Sequence, residues 1–141
     1  MNKVVWSSNK SEWETPWDFY MMLDDEFHFE LDPAAADGNA KCDVYYTKTQ
    51  DGLKMSWDGL RVFCNPPYGR SVTGKWVRKG AEARGGVVVM LLPARTDNEW
   101  FHGYIYKNPR AEIRFVKGRL KFSGSETGAP FPSMVVIFRG E

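Results

Sequence analysis

Arg61-Val62-Phe63-Cys64-Asn65-Pro66-Pro67-Tyr68-Gly69 and, further along, Val87-Val88-Val89-Met90-Leu91-Leu92 are the two stretches on which the fold turns. The first reads as a short strand, Arg61 to Cys64, that runs straight into a rigid loop. The second is a continuous apolar run, the pattern of a strand buried on both faces. Between them the sequence predicts a helix from about Thr73 to Arg84, closed by Gly85-Gly86. Strand, helix and strand at this spacing are the unit of an open, mostly parallel sheet covered on both sides.

Downstream, Pro93-Ala94-Arg95 forms a loop. Thr96 and Glu99 form a capping-box pair that opens a helix to about Lys107. Ala111 to Phe122 reads as a strand pair bent near Gly118, and Ser133 to Arg139 as a final strand. Upstream, Thr15 reads as an N-cap, Pro16 as the first helical residue and Asp18 as the capping-box acid. Phe19, Met22, Leu23 and Phe27 then supply an apolar stripe. Phe27 to Leu31 alternates as a strand does. It ends in Asp32-Pro33 and a small-residue loop to Ala40. Residues 41–60 carry turns at Asp51-Gly52 and Asp58-Gly59. Three loops, 32–40, 65–69 and 93–96, leave the carboxyl ends of strands, where open sheets bind their ligands.

The chain has 141 residues, enough for one domain with its own core, and residues 1–10 read as a loosely held arm. A net charge of +1 leaves any attraction to a phosphate backbone to local basic stretches, Arg70 to Arg84 and Arg110 to Lys121. Cys42 and Cys64 form no CxxC pair, which fits a reduced, cytoplasmic protein. Met1 to Trp6 lacks the apolar core of a signal peptide, and no apolar run reaches membrane-span length.

Asn65-Pro66-Pro67-Tyr68 carries the chemistry. An aromatic amino group is a poor nucleophile because its lone pair is delocalised into the ring. Two acceptors aimed at its N–H groups pull the nitrogen toward tetrahedral geometry. The Asn65 side-chain oxygen is one such acceptor and the Pro66 carbonyl is the other. The prolines stiffen the backbone so that both point outward. Tyr68 offers a flat ring on which a base can stack. A base in a duplex reaches such a loop only when flipped out. The bland alternative is an ordinary turn, and the strand before it and helix after it argue for function.

Over nearly its whole length the chain resembles the small phage-type DNA N6-adenine methyltransferases, the phage Dam family. The resemblance rests on Leu31-Asp32-Pro33-Ala34-Ala35, Asn39-Ala40-Lys41-Cys42, Cys64-Asn65-Pro66-Pro67-Tyr68-Gly69, Leu91-Leu92-Pro93-Ala94-Arg95-Thr96-Asp97 and Gly118-Arg119-Leu120-Lys121-Phe122. It implies a compact Rossmann-like α/β fold, S-adenosyl-L-methionine (AdoMet) as methyl donor and adenine N6 in DNA as acceptor. It implies a bacterial-host cytoplasm for a phage-borne protein. By resemblance, Thr15 and Pro16 face the methionine moiety, and Asp32, Pro33 and Ala34 form the loop beside AdoMet. The usual Gly-x-Gly after Asp32 is missing, and the segment before Asn65 is short for further strands. Asp37 and Asp43 are candidates for the acid that holds the ribose.

Arg95, Arg119 and Lys121 are candidate DNA contacts, each also readable as plain surface. Trp13, Trp17 and Trp57 are candidates to line the adenine of AdoMet, with Trp17 reading better as core. His28 and His102 show no metal-ligand spacing with the cysteines. Cys64 reads as a small buried residue, since transfer to an amino nitrogen needs no covalent enzyme intermediate. The loop alone also suits an RNA base or a protein glutamine amide, and a shortened fold could bind AdoMet or DNA without turnover.

Few loops remain to read bases: residues 41–60, 95–98, the bend near Gly118 and 123–130. Each good base contact supplies only about 1–3 kcal/mol of discrimination. The expected recognition sequence is therefore short or relaxed, with binding that weakens steeply as salt rises. Long-read mapping of N6-methyladenine in cells expressing the protein tests this. Methylation by a monomer confined to one long, fully specified site would contradict it.

Overall fold

The structure, a computed structural model, describes residues 13–123 and 127–141. The expected N-terminal arm and the middle of the 123–130 loop lie outside the described residues. Six strands form one sheet: β1 (Leu31–Asp32), β2 (Val44–Tyr45), β3 (Arg61–Cys64), β4 (Val87–Pro93), β5 (Ala111–Phe115) and β6 (Ser133–Arg139), in the order β2-β1-β3-β4-β6-β5. The β1–β2, β1–β3 and β3–β4 pairs are parallel, while β6 runs against both β4 and β5. Five strands thus point one way and β6 alone is reversed, a mostly parallel sheet as expected.

Alternation along β4 explains why it is apolar throughout. Val88, Met90 and Leu92 face one side and pack with Val62, Cys64, Trp76, Val77 and Phe101. Val89 and Leu91 face the other, with Tyr20, Leu23, Phe63, Phe122 and Phe131. Helix α1 (Trp17–Phe27) covers the second face and α2 (Thr73–Glu82) the first. At Gly80 of α2 a Cβ would stand 2.9 Å from Met90 Sδ and 3.2 Å from Val88 Cγ1, so a glycine lets the helix lie close on β4.

β3, β4 and β6 match their predicted spans closely; other boundaries moved. α2 stops at Glu82 because Ala83 is extended and the Arg84 amide turns to Asp58 Oδ1. Thr15 does not cap α1; Pro16 is the cap residue, and the Thr15 hydroxyl serves Asn65 instead. The stripe of α1 is rotated: Tyr20 and Leu23 are buried, Phe19 and Phe27 half-buried, and Met22 exposed. The strand expected from Phe27 shrinks to Leu31–Asp32, because α1 runs through Phe27 and His28 caps it in the left-handed conformation. Trp17 is exposed rather than core.

The Thr96–Glu99 capping box does not form. Asn98 Oδ1 accepts from Phe101 N–H at 2.8 Å, and the helix is a single wide turn over Phe101–Ile105. Only Ala111–Phe115 of the expected strand pair is extended; the Leu120 carbonyl accepts from the Ala129 amide rather than joining a sheet. Among the described residues no helix is long and apolar enough to cross a membrane.

β1, β3 and β4 are parallel, so the loops that follow them emerge on one edge. β4 tolerates no charge at its centre: Val89 is fully buried, and an unpaired carboxylate in its place costs several kcal/mol. Val89→Asp is expected to abolish cooperative folding, which circular dichroism and thermal melting of the purified protein check. A soluble variant with a sharp melt would contradict the central position of β4.

Candidate active site at the carboxyl edge of the sheet

β3 ends at Cys64, which is fully buried, and the next residue leaves the sheet. Burial pushes the Cys64 thiol well above its ordinary range, so it is inert as a nucleophile. The loop beyond is held at several points. The Tyr68 hydroxyl donates to the Leu91 carbonyl at 2.9 Å. The Thr73 hydroxyl accepts from the Gly69 amide at 2.9 Å and donates to the Pro67 carbonyl at 3.0 Å. With two prolines fixing φ, the loop has little freedom left.

The Asn65 side chain is the centre of the arrangement. Its Nδ2 donates to the Trp13 carbonyl and to the Thr15 hydroxyl, the latter at 2.9 Å. A main-chain carbonyl can only accept, so the amide nitrogen must face Trp13 and the orientation of the group is settled. Oδ1 is thereby turned the other way, buried and without a hydrogen-bond donor. Buried polar atoms are nearly always paired, so an orphan acceptor here is a place for a ligand's N–H.

Two cavities flank the loop. The first, of about 490 Å³, is lined by Asn65, Pro66 and Pro67 together with Thr15, Asp32, Pro33 and Ala34. The second, of about 630 Å³, is lined by Tyr68 and Gly69 with Thr73, Arg95, Trp100 and Phe131. Trp13 lines both. The tetrapeptide therefore passes from one cavity to the other. The charged linings differ in sign. The first has Glu14, Asp32, Asp37 and Asp51 against Lys41 and Lys48, while the second has Arg70 and Arg95 against Asp97.

Asp32 shapes the first cavity from below. It is buried at the end of β1, with Oδ2 accepting from the Lys41 amide at 3.0 Å and Oδ1 from the Ala34 amide at 3.3 Å. Desolvation raises its pKa, opposed by those two amides and by the Lys41 charge. Asp51 approaches from the far side, on the 3-10 turn Gly52–Lys54, with its side chain accepting from the Leu53 amide at 3.2 Å. Gly52 lies so close to Asp32-Pro33 that a Cβ there would fall 2.0 Å from the Pro33 carbonyl.

Not every sequence-derived candidate reaches the site. Pro16 lines neither cavity; its carbonyl accepts the Tyr20 amide. Arg119 and Lys121 are exposed and line neither, and Arg119 donates to the Ala129 carbonyl at 3.2 Å. Of the candidate ribose acids Asp37 lines the first cavity and Asp43 does not. Trp57 is core, its indole N–H donating to the Gly52 carbonyl at 3.0 Å. Glu14, Lys41, Asp51 and Trp76 were not among the candidates and do line the first cavity. His102 binds the Thr96 carbonyl, and among the described residues no group of three His, Cys, Asp or Glu side chains can hold a metal.

Residues 3–140 match the model of the family described as DNA N-6-adenine-methyltransferase (Dam), and the chain belongs to that family. It is 28% identical over 141 residues to the DNA N-6-adenine-methyltransferase of Haemophilus phage HP1 (strain HP1c1), covering 93% of this chain and 80% of the relative. It is 30% identical over 135 residues to the DNA N-6-adenine-methyltransferase of Escherichia phage T1, covering 82% of this chain and 55% of the relative, so it spans about half of that protein's length.

Asp32 holds the 33–41 loop through two amides that would be left without acceptors in its absence. Asp32→Ala is expected to lower unfolding free energy by ~2 kcal/mol. Urea denaturation at neutral pH checks this, and an unchanged midpoint and slope would show that the loop is held by other means.

Proposed function

We propose that this member of the Dam family methylates N6 of adenine in DNA with AdoMet in the first cavity and the target base in the second. The observation that carries the reading is the orphaned Asn65 Oδ1, fixed beside the first cavity on the loop that separates the two. Family membership sets the reaction class. The cavity arrangement supports the assignment of sides, and the sheet supports a shortened Rossmann-like methyltransferase fold, with its ligand loops at the carboxyl ends of β1, β3 and β4.

The first cavity fits the cofactor on two counts. Its volume lies within the range of about 300–1,000 Å³ usual for small-molecule sites. Its acidic lining suits a ligand carrying a sulfonium. When bound, AdoMet supplies an electrophilic methyl group on that sulfonium. Thr15, Asp32, Pro33 and Ala34 are the residues proposed to hold it, and Asp37 and Asp51 are the carboxylates available to its ribose. The second cavity suits a flipped nucleotide. Tyr68, Trp100 and Phe131 give it aromatic walls, and Arg70 and Arg95 bring positive charge for the phosphates.

Asn65 is proposed to accept one N–H of the adenine amino group at Oδ1, and the Pro66 carbonyl the other. The nitrogen lone pair is thereby drawn out of conjugation and can form the new N–C bond as the C–S bond breaks. The bonding pair leaves with sulfur, and positive charge develops on nitrogen. Two fixed carbonyl dipoles stabilise that charge without reorganising. An amide does not keep a proton, so the proton lost from nitrogen passes on to water. Trp13 and Thr15 contribute by holding the Asn65 amide in register.

Incubation of the protein with AdoMet and DNA is expected to yield N6-methyladenine, read by mass spectrometry of the nucleosides. Asn65→Ala is expected to lower turnover at least ~100-fold, the scale of losing one preorganised transition-state contact, while leaving AdoMet affinity within about twofold. N4-methylcytosine as product, or equal loss of cofactor affinity and turnover, would overturn the assignment.

A further inference from the structure

Lys41 is an unusual member of the first cavity. Its side chain is only 3% exposed, and its ammonium has no hydrogen-bond acceptor. The nearest carboxylate, on Glu14, is 3.8 Å away, beyond hydrogen-bond reach, and that side chain is 38% exposed. The Trp17 ring lies against the ammonium, with 4.0 Å from Nζ to the centroid. The other carboxylate in reach, Asp32, is occupied by the amides of Lys41 and Ala34. Desolvation lowers the Lys41 pKa, opposed by Glu14 and Asp32. The ammonium of a buried cation therefore makes no hydrogen bond, in a cavity whose lining also includes Glu14, Thr15 and Asp32.

We propose that Lys41 is the residue that binds the α-carboxylate of the amino-acid end of AdoMet in the first cavity, through its buried ammonium, which has a distant ion pair with Glu14 but no hydrogen bond. The inference rests on the cofactor reading of that cavity. A carboxylate is the group such a site lacks: anionic, compact, and able to accept two or three N–H bonds at once. Glu14 and Asp32 stand on the same side and complement the α-ammonium that accompanies it. A zwitterion thus finds both of its charges matched, which a neutral ligand of the same size does not require. The contact also orders the cavity end to end, with the amino acid beside Lys41 and Thr15 and the nucleoside toward Asp51 and Trp76.

Isothermal titration calorimetry with AdoMet, decarboxylated AdoMet and 5′-methylthioadenosine tests this on the wild-type protein and on Lys41→Met and Lys41→Gln. Wild-type protein is expected to bind AdoMet about 10- to 100-fold more tightly than its decarboxylated form, the scale of one charge-assisted hydrogen bond. Either variant is expected to lose that preference and to bind 5′-methylthioadenosine as wild type does. Removal of a buried ammonium without acceptors is not expected to lower the melting temperature. Equal affinity of wild type for the two sulfonium ligands, or a variant that keeps the preference, overturns the role of Lys41 and leaves the cofactor site standing. Failure of wild type to bind either AdoMet or methylthioadenosine overturns the cavity reading and the Lys41 assignment together.

Discussion

The orientation of one side-chain amide governs the rest of the site. Asn65 Nδ2 meets a carbonyl and a hydroxyl that belong to the segment before α1, some fifty positions away in the chain. Because the Trp13 carbonyl cannot donate, the amide has one orientation only, and the acceptor oxygen is aimed by elimination. Everything that fixes Trp13 therefore fixes the Asn65 amide. Its ring is wedged edge-on against Phe122 and Phe131 at 5.5 and 5.2 Å, which ties the loop of β3 to the far end of the chain. Aromatic packing of this kind adds roughly 0.5–1.5 kcal/mol per pair beyond the area buried, so the segment is held more firmly than a bare strand-like arm would be.

A stagger in the sheet creates the space for this. Cys64 is the last residue of β3 and pairs with Met90, whereas β4 continues through Leu91 and Leu92 to Pro93. Past Met90, β4 has lost its parallel neighbour while β6 still pairs on its other side. The Leu91 carbonyl would be left short of a donor on the vacated side, and the Tyr68 hydroxyl takes it. The tyrosine thus completes the sheet with its hydroxyl and lines the second cavity with its ring. Burial raises the phenol pKa well above its ordinary range, which keeps it a donor at any physiological pH.

Much of this was legible in the sequence, for a definite reason. β3, β4 and β6 are dictated by local composition: β-branched and aliphatic residues in runs that only a sheet covered on both faces can bury. The Asn-Pro-Pro-Tyr loop was equally readable, since two prolines after a strand have few conformations to choose from. What depended on distant partners was not. Thr15 carries every local mark of an N-cap, yet its hydroxyl is worth more to a buried amide than to an exposed helix end. Thr96 and Glu99 lost to Asn98 because the cap position is set by where Phe101 must enter the core. Lys41 appeared in the sequence only as part of a family-like tetrapeptide. No periodicity or spacing says that a lysine next to a cysteine will be folded under a tryptophan.

Among the described residues three buried side-chain polar atoms have no hydrogen-bond partner: Asn65 Oδ1, Lys41 Nζ and Ser133 Oγ. Each such atom costs about 1–3 kcal/mol, a sizeable share of a stability that is usually about 5–15 kcal/mol. Ser133 shows that an orphan is not by itself a site. It begins β6, pairs with Pro93 across the sheet and lines neither cavity, so its hydroxyl is a cost of packing. The other two line the same cavity and are of opposite kind, an acceptor and a cation. A fold under selection for stability alone would remove both with small apolar substitutions. Their coexistence in one cavity fits the two proposed substrates together, one bringing N–H groups to Asn65 and the other a carboxylate to Lys41. The reacting nitrogen and the tail of the methyl donor meet those descriptions separately, so on the proposed reading both orphans are satisfied only when base and methyl donor are bound together.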